Sequence, residues 1–296
     1  MSKLTSTMAM IAAMAVTLWS QVPTEGLVAF YPFTGNLLDA SGHGHKLDSL
    51  HTTDQRYLTK YVNDRNGTAN RADSFPGTTC GLFTSADSFP TGASARTISA
   101  WVKLGILSQP RTIVAWGDKA NKTECSFLVI STGGFAYLIF TNGTDSLKYK
   151  ETNTARIQSW THLAVSLTNA GLAKMYMDDS LLVSKQMSNW NTSAGLFGVG
   201  AWFINQGAPN DPWSGCVDAV AVYKKSLTDT EITMLANNTT DQLIPTKVPI
   251  PNNAYYTVTK TDISNKKYTI NGRTTKNESV TELLVDKGLK KTLQIQ

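Results

Sequence analysis

Short apolar runs rich in Val, Ile, Phe, Tyr and Trp recur along residues 26–225, and Gly, Asn, Asp, Ser and Pro separate them. Representative runs are "TISAWVKL" (97–104), "CSFLVIST" (125–132) and "WTHLAVSLT" (160–168). They have the length of strands and follow one another at intervals of about ten residues, with no helical period between most of them. This pattern predicts an all-β fold built as an antiparallel sandwich or barrel.

Residues 172–186 carry the clearest β-hairpin pattern in the chain. Polar and apolar residues alternate in "KMYM", and the chain returns in "SLLVSK", with Asp178 and Asp179 between the two. Aspartate tolerates the backbone angles of a tight turn, so we predict that the hairpin turns at this pair.

Residues 226–238, "SLTDTEITMLANN", form the one good helix pattern before the proline-rich segment. Ser226 or Thr228 can cap the N-terminus, and acidic residues in the first turn complement the helix dipole. Ile232 and Leu235 are spaced to share one face. We therefore predict a short helix that lies beside the last strand.

The N-terminus has the pattern of a secretory signal peptide over residues 1–21. Lys3 is its only charged side chain, and the apolar run "MAMIAAMAVTLW" that follows is too short to span a bilayer. A buried N-terminal helix is the alternative. No later segment is long and apolar enough to anchor the chain in a membrane, so we expect a secreted or cell-surface protein without a membrane span.

The C-terminal part differs in composition from the rest. Three prolines within residues 243–254 predict a linker, because proline stiffens the chain and blocks sheet extension. Residues 246–296 hold nine Lys or Arg against four acids, which accounts for the whole net charge of +5. The preceding residues are neutral, which argues against a nucleic-acid-binding core.

Residues 255–296 are predicted to be a basic tail, either a small β module for sorting or attachment or a disordered segment. "KYTINGRTTK" (267–276) contains an Asn-Gly pair, which favours a turn. The segment holds too little apolar surface to be stable alone. Its charge suits retention at an acidic surface, such as anionic glycans or lipid head groups.

The three cysteines are Cys80, Cys125 and Cys216. In an exported protein we expect one pair to be bridged and one thiol to be left over, although the spacing does not identify the pair. No CxxC or Cys/His spacing indicates a zinc site.

Several of these segments, in this order, resemble the laminin G-like, concanavalin A-like jelly rolls of secreted bacterial proteins. The resemblance rests on "GLVAFYPFTGNLLDASGHGHKL" (26–47), "NRADSFPGTTCGLFT" (70–84), "RTISAWVK" (96–103), "QSWTHLAVSLT" (158–168), "AKMYMDDSLL" (173–182) and "WSGCVDAVAVYKKSLTDTEI" (213–232). It covers about residues 24–240, and we place the domain at 22–242. The resemblance implies a two-sheet antiparallel jelly roll followed by a short C-terminal extension.

The resemblance also implies a structural calcium ion, which in many such jelly rolls joins the N-terminal loop to the last strand. The matching carboxylates are Asp39 and Asp218, with carbonyl oxygens of residues 42–45 completing an oxygen shell of the kind calcium prefers. Alternatively, Asp39 is a turn residue and Asp218 is satisfied by backbone amides. His43 and His45 are expected to be turn residues near the surface, although two such imidazoles can also reach one transition metal.

The resemblance includes both glucanases and lectins, and the sequence favours a module without catalytic activity. Glycosidases need two carboxylates beside the scissile bond, and the Glu-x-Asp-x-x-Glu strand of related glucanases is absent here. A lectin needs exposed aromatic rings and polar neighbours, and Trp190, Trp202, Asn205 and Asn210 lie in turn-rich segments. We expect a polysaccharide or glycan as partner. A structural or adhesion module that binds a surface protein is the alternative.

Overall fold

The computed structural model describes residues 23–49, 58–203 and 209–237, together with the backbone of three strands between residues 255 and 295. The chain divides into two compact units, Met1–Pro245 and Thr246–Gln296. The predicted signal peptide (1–21) and the predicted linker (243–254) lie outside the described residues. The boundary between the two units falls within the predicted linker.

The described part of the first unit consists of strands and two short helices. In chain order the strands are β1 Leu27–Tyr31, β2 Asp48–Ser49, β3 Lys60–Val62, β4 Ala72–Pro76, β5 Leu82–Ser85, β6 Arg96–Leu104, β7 Arg111–Asp118, β8 Thr123–Thr132, β9 Phe135–Thr141, β10 Ser146–Glu151, β11 Thr161–Leu167, β12 Leu172–Met177, β13 Ser180–Gln186, β14 Leu196–Val199, β15 Trp202–Phe203, β16 Pro209–Asn210 and β17 Ser214–Tyr223. The helices are α1 Ala155–Gln158 and α2 Asp229–Asn237. Neither helix has the length and apolarity needed to cross a membrane.

Two antiparallel sheets form a sandwich, which confirms the predicted fold class. The eight-stranded sheet has the order β13-β12-β11-β6-β17-β4-β3, with β1 also paired to β17. The seven-stranded sheet has the order β10-β9-β8-β7-β14-β5-β2. Strands β15 and β16 form a separate two-stranded ribbon.

Alternate residues of each strand fill the space between the sheets. Ile98, Ala100 and Val102 of β6 belong to this core, as does Phe127 of β8. Burying one such large apolar side chain contributes about 1.5–3 kcal/mol, so the alternating pattern both selects strands and holds the two sheets together. The sequence predicts that six strand residues lie largely inside, namely Trp101, Val102, Leu163, Val165, Tyr176 and Val220. Five of them are at most 2% exposed, whereas Trp101 is half-buried.

A second, smaller core covers the outer surface of the eight-stranded sheet. Helix α2 contributes Ile232 and Leu235 to it, and the sheet contributes Tyr176 and Tyr223. The helix prediction is confirmed, with a capping box in which the Thr228 hydroxyl accepts from the Glu231 amide at 3.2 Å. The Glu231 carboxylate in turn accepts from the Thr228 amide at 2.8 Å. Thr228 therefore provides the predicted cap, and Ser226 does not.

The predicted hairpin is also confirmed, since β12 and β13 pair on either side of Asp178 and Asp179. Asp178 has a φ of +57°, in the left-handed region that Asp tolerates better than most residues.

The prediction of one disulfide is wrong, because all three cysteines are free thiols. Cys80 and Cys125 are buried in the core between the sheets. Cys216 lies on β17, where it is only half-buried and interacts with Ser74 of the neighbouring strand. Burial raises the pKa of the Cys80 and Cys125 thiols to about 12, so both remain protonated at neutral pH.

The described backbone of the second unit is a three-stranded antiparallel sheet. Its order is β19-β18-β20, with β18 at Tyr255–Thr261, β19 at Lys267–Arg273 and β20 at Lys291–Ile295. The turn predicted at Asn271 and Gly272 was wrong, because both residues pair with β18 inside a continuous strand. Pairing with a neighbouring strand here overrides the local turn preference of the Asn-Gly pair.

Candidate functional site

The outer face of the seven-stranded sheet carries two rows of side chains that follow from strand register. In β8, Cys125, Phe127 and Val129 belong to the core, so residues 124, 126 and 128 lie on the opposite, outer face. Antiparallel pairing aligns Ser126 with Thr141 and Ser146 in one row. The next row on the same face is apolar in two strands and cationic in the third, with Leu128, Ile139 and Lys148.

These rows form the floor of a cleft with a volume of about 240 Å³. Leu128 and Ile139 supply an apolar surface beside the hydroxyl groups of Ser126 and Thr141. A floor of this kind suits a sugar, because a pyranose presents apolar C–H groups on its ring face and hydroxyl groups around its edge.

Glu124 lines the cleft beside Ser126 and is only 4% exposed. The Ser126 hydroxyl donates to Glu124 Oε2 at 2.9 Å. Burial is the largest effect on this carboxyl and raises its pKa, although the Ser126 hydrogen bond and Lys119 oppose the shift. Glu124 therefore keeps its proton to a higher pH than a glutamate in water does.

One wall of the cleft comes from the β15–β16 ribbon and the residue that follows it. Trp202 of β15 pairs with Asn210 of β16, and Asp211 comes next. Lys119 joins these elements, since its Nζ lies 3.1 Å from Asp211 Oδ2 and 5.4 Å from the centre of the Trp202 ring. Trp202 is 5% exposed, so it closes the cleft as an apolar wall and is not an open stacking platform.

The four residues predicted to bind a sugar have different positions in the structure. Trp202 lines the cleft and Asn210 lies opposite it in the ribbon. Asn205 lies outside the described residues. Trp190 is 7% exposed and belongs to the core, where it packs against Phe140 with a centroid distance of 4.9 Å. Its ring therefore has no exposed face for stacking.

Sequence reasoning missed Glu124 and Ser126. Their signal is the pair of polar residues at alternate positions of "TECSFLV" in an otherwise apolar strand (123–129). Two polar residues on the outer face of a strand are also common where the face meets solvent. Only the pairing with β9 and β10 shows that they lie in a cleft.

Asp39, one of the two residues predicted to bind calcium, accepts three backbone hydrogen bonds. Its Oδ1 accepts from the amides of Phe30 and Ser41, and its Oδ2 accepts from the amide of His45, all at 2.8–3.0 Å. These bonds fix the loop after β1 in place. The imidazoles of His43 and His45 have separate partners, the hydroxyls of Ser41 and Ser88 respectively.

Asp218, the other predicted ligand, is fully buried and pairs with Arg65, whose Nη1 lies 2.5 Å from Asp218 Oδ2. The Arg65 guanidinium also lies 4.6 Å above the Trp101 ring. Burial raises the pKa of Asp218, and the positive charge of Arg65 opposes this.

Asp39 accepts three backbone amides, and Asp218 pairs with Arg65 through Oδ2 while its Oδ1 is buried without a hydrogen-bond partner. No group of three or more His, Cys, Asp or Glu suited to a metal occurs within the described ranges. Calcium binding stays a prediction that a melting experiment decides.

The fold and the cleft define a jelly-roll β-sandwich with a polar groove on the outer face of one sheet. The sequence profile of the concanavalin A-like lectin/glucanases superfamily matches residues 76–233, which is more than half of the chain. The chain therefore belongs to this superfamily. A comparison with curated protein sequences gave no match.

Solved structures with similar folds have low sequence identity to the chain. Domain 4 of AbnA, a GH43 extracellular arabinanase from Geobacillus stearothermophilus in complex with arabinotriose, is 22% identical at a TM-score of 0.53, covering 71% of this chain and 98% of that one. The botulinum neurotoxin serotype D ligand binding domain in complex with N-acetylneuraminic acid is 10% identical at a TM-score of 0.54, covering 80% of this chain and 57% of that one. Both similarities support the fold.

Proposed function

We propose that this protein is a secreted or cell-surface carbohydrate-binding module without catalytic activity, and that its ligand occupies the cleft on the seven-stranded sheet. The observation that carries the proposal is the combination of hydroxyl groups, an apolar floor and the carboxyls of Glu124 and Asp211 around one volume of about 240 Å³. Superfamily membership supports a glycan as ligand, as do arabinotriose and N-acetylneuraminic acid in the two structures of similar fold.

The test is a glycan array followed by calorimetry on any binder, using a variant that fills the cleft. Ser146 is half-buried, lines the cleft and lies on an edge strand, where tyrosine is well tolerated. We expect Ser146→Tyr to abolish glycan binding while the protein remains folded. The matched control is Ser131→Tyr, at an exposed position of β8 that does not line the cleft. Equal binding by both variants would place the ligand elsewhere.

A second candidate function is glycoside hydrolysis, which the presence of two carboxyl groups in the cleft favours. Glu124 has a raised pKa, as a general acid requires, and Asp211 lines the same volume. Against this role, Asp211 is paired with Lys119 and Glu124 with Ser126. Incubation with a bound polysaccharide should release no reducing ends. A release that Glu124→Gln abolishes would establish the hydrolase instead.

We also propose that residues 255–296 govern where the protein resides and that the sandwich alone governs what it binds. The tail holds eight Lys or Arg against four acids, and this positive charge attracts an acidic surface in a manner that salt screens. A chain truncated after Asp241 should fold, keep its glycan affinity and lose its retention at the cell surface. Loss of folding or of glycan affinity would show that the tail belongs to the domain.

A further inference from the structure

The rows of outer side chains continue beyond the cleft along the same strands. The row after Leu128, Ile139 and Lys148 is formed by Ile130, Tyr137 and Lys150, again by direct register across β8, β9 and β10. Ile130 and Tyr137 are half-buried, and Lys150 is exposed. The surface outside the cleft therefore repeats the chemistry of its floor, with an apolar base and a lysine at the edge.

The two lysines lie at alternate positions of β10 and therefore share one face. The rise along a strand separates their Cα atoms by roughly 6.6 Å. Lys148 lines the cleft, and the Nζ of Lys150 lies 3.7 Å from the centre of the Phe135 ring. In the part of the chain that the structure describes, no carboxylate lies within ion-pair distance of either ammonium group.

The acidic groups that line the cleft, and those at the two ends of β10, are engaged within the protein, Glu151 by Arg156. In the cleft, Asp211 is paired with Lys119, and Glu124 accepts from Ser126. At the end of β10, Asp145 is paired with Lys185. Lys148 and Lys150 are thus exposed cations without a carboxylate partner among the described residues, and they lie beside an apolar surface on which a sugar ring can lie.

We propose that the ligand of the cleft is an acidic glycan chain whose anionic oxygens pair with Lys148 and Lys150. This inference rests on the proposed function and specifies its ligand class. The shared chemistry is a negatively charged oxygen on a sugar, which a carboxylate or a sulfate supplies. A chain that crosses both rows contacts two lysines, so the site selects an oligosaccharide over a single acidic sugar.

Another explanation for the two lysines is protection of the sheet edge. β10 is the last strand of the seven-stranded sheet, and lysines on edge strands discourage pairing with other chains. That role predicts association of the protein after their removal and no change in ligand binding. The two explanations therefore differ in a measurable way.

The experiment titrates the full chain with three probes of about six sugar units: an oligogalacturonate, a sulfated oligosaccharide and a neutral arabino-oligosaccharide. We expect acidic probes to bind more tightly than the neutral one, and their affinity to fall as salt rises. The double variant Lys148→Ala/Lys150→Ala should weaken acidic probes by about tenfold and the neutral one by less than twofold. Lys148→Arg/Lys150→Arg should restore affinity for the acidic probes.

The matched control is Lys103→Ala/Lys224→Ala, which removes two exposed lysines from strand β6 and the segment after β17. It should leave all affinities unchanged. An equal loss of affinity for the acidic probes in the control would show that the effect depends only on net charge, and it would overturn the inference. If the neutral probe binds best and the cleft lysines have no effect, the inference fails while the proposed function stands. If no glycan binds and Ser146→Tyr changes nothing, the proposed function itself fails.

Discussion

In both sheets the outer face is formed by alternate side chains of each strand. One outer face is covered by other parts of the protein, whereas the other is open to solvent. On the eight-stranded sheet, helix α2 and its small core cover one part, and Arg65 covers another by lying over Trp101 and pairing with Asp218. We call this the closed face. On the seven-stranded sheet, the outer side chains of β8, β9 and β10 line a cleft that opens to solvent, and we call this the open face.

This difference shows on which face polar and charged side chains can be contacted by a ligand. On the closed face, several buried polar groups are bonded to the protein itself, as in the contact of His162 Nε2 with the Ser99 hydroxyl at 2.7 Å and the pairing of Asp218 with Arg65. On the open face, Lys148 is exposed and lines a cleft that opens to solvent, although the Ser126 and Thr141 hydroxyls are bonded within the protein. Substitutions on the closed face should therefore change stability, and substitutions on the open face should change binding.

The largest expected effect on the closed face comes from Arg65→Ala. It leaves the fully buried Asp218 without its cationic partner, and removal of one member of a buried ion pair costs about 3–5 kcal/mol. Urea unfolding should show this loss, and Asp218→Asn in the same chain should recover part of it. Lys103→Ala is the control and should change stability by less than about 0.5 kcal/mol. A loss below about 1 kcal/mol in Arg65→Ala would mean that the pair contributes little.

The next effect concerns pH, through the fully buried His162. Burial lowers its pKa to about 4, whereas an unfolded histidine titrates near 6.5. The unfolded chain therefore binds the proton first as pH falls, so stability is lost between about pH 6.5 and 4, by roughly 3 kcal/mol. His162→Gln should remove this contribution. Unfolding free energies at several pH values test it.

Asp73 changes stability in the opposite direction over the same pH range. The contribution of His162 is therefore obtained from the difference between the pH profiles of wild type and His162→Gln. Burial raises the pKa of Asp73 to about 7, which means that stability falls as pH rises from about 4 through 7. Asp73→Asn should remove that fall. If both variants give the same pH profile as wild type, neither group titrates as its burial requires.

Asp39→Ala should cost about 2 kcal/mol, because the amides of Phe30, Ser41 and His45 lose a shared charged acceptor. The same experiment tests the calcium prediction. The calcium prediction requires a higher melting temperature of the wild type in excess calcium than with a chelator, and equal temperatures would contradict it. A rise with calcium in the wild type, lost in Asp39→Ala, would support the predicted calcium site.

On the open face, Glu124→Gln should leave stability within about 1 kcal/mol of wild type, because it removes a charge that burial disfavours and keeps the side-chain shape. Affinity for a neutral glycan should fall by about tenfold, since a charged acceptor in the cleft is replaced by a neutral one. Calorimetry and unfolding on the same variant measure both quantities. A large loss of stability without a loss of affinity would show that Glu124 has a structural role, like the buried polar groups of the closed face.

Local patterns predicted those features whose cause is local. The Asp178–Asp179 turn and the Thr228 cap depend on residues within a few positions of each other, and both are present. The Asn271–Gly272 pair shows the limit of such reasoning, because strand pairing extended through it. Trp190 shows another limit, since a turn-rich neighbourhood did not prevent its ring from entering the core.

The sequence by itself determined that the chain forms strands, which side of each strand is apolar, and therefore that two sheets must face one another. It did not determine which outer face stays open. That depends on partners far apart in the chain, as in the pairing of Arg65 with Asp218, 153 positions away, and of Lys119 with Asp211, 92 positions away. Alternation is a property of neighbouring residues, whereas the covering of a polar group requires a specific partner that only the tertiary structure brings within bonding distance.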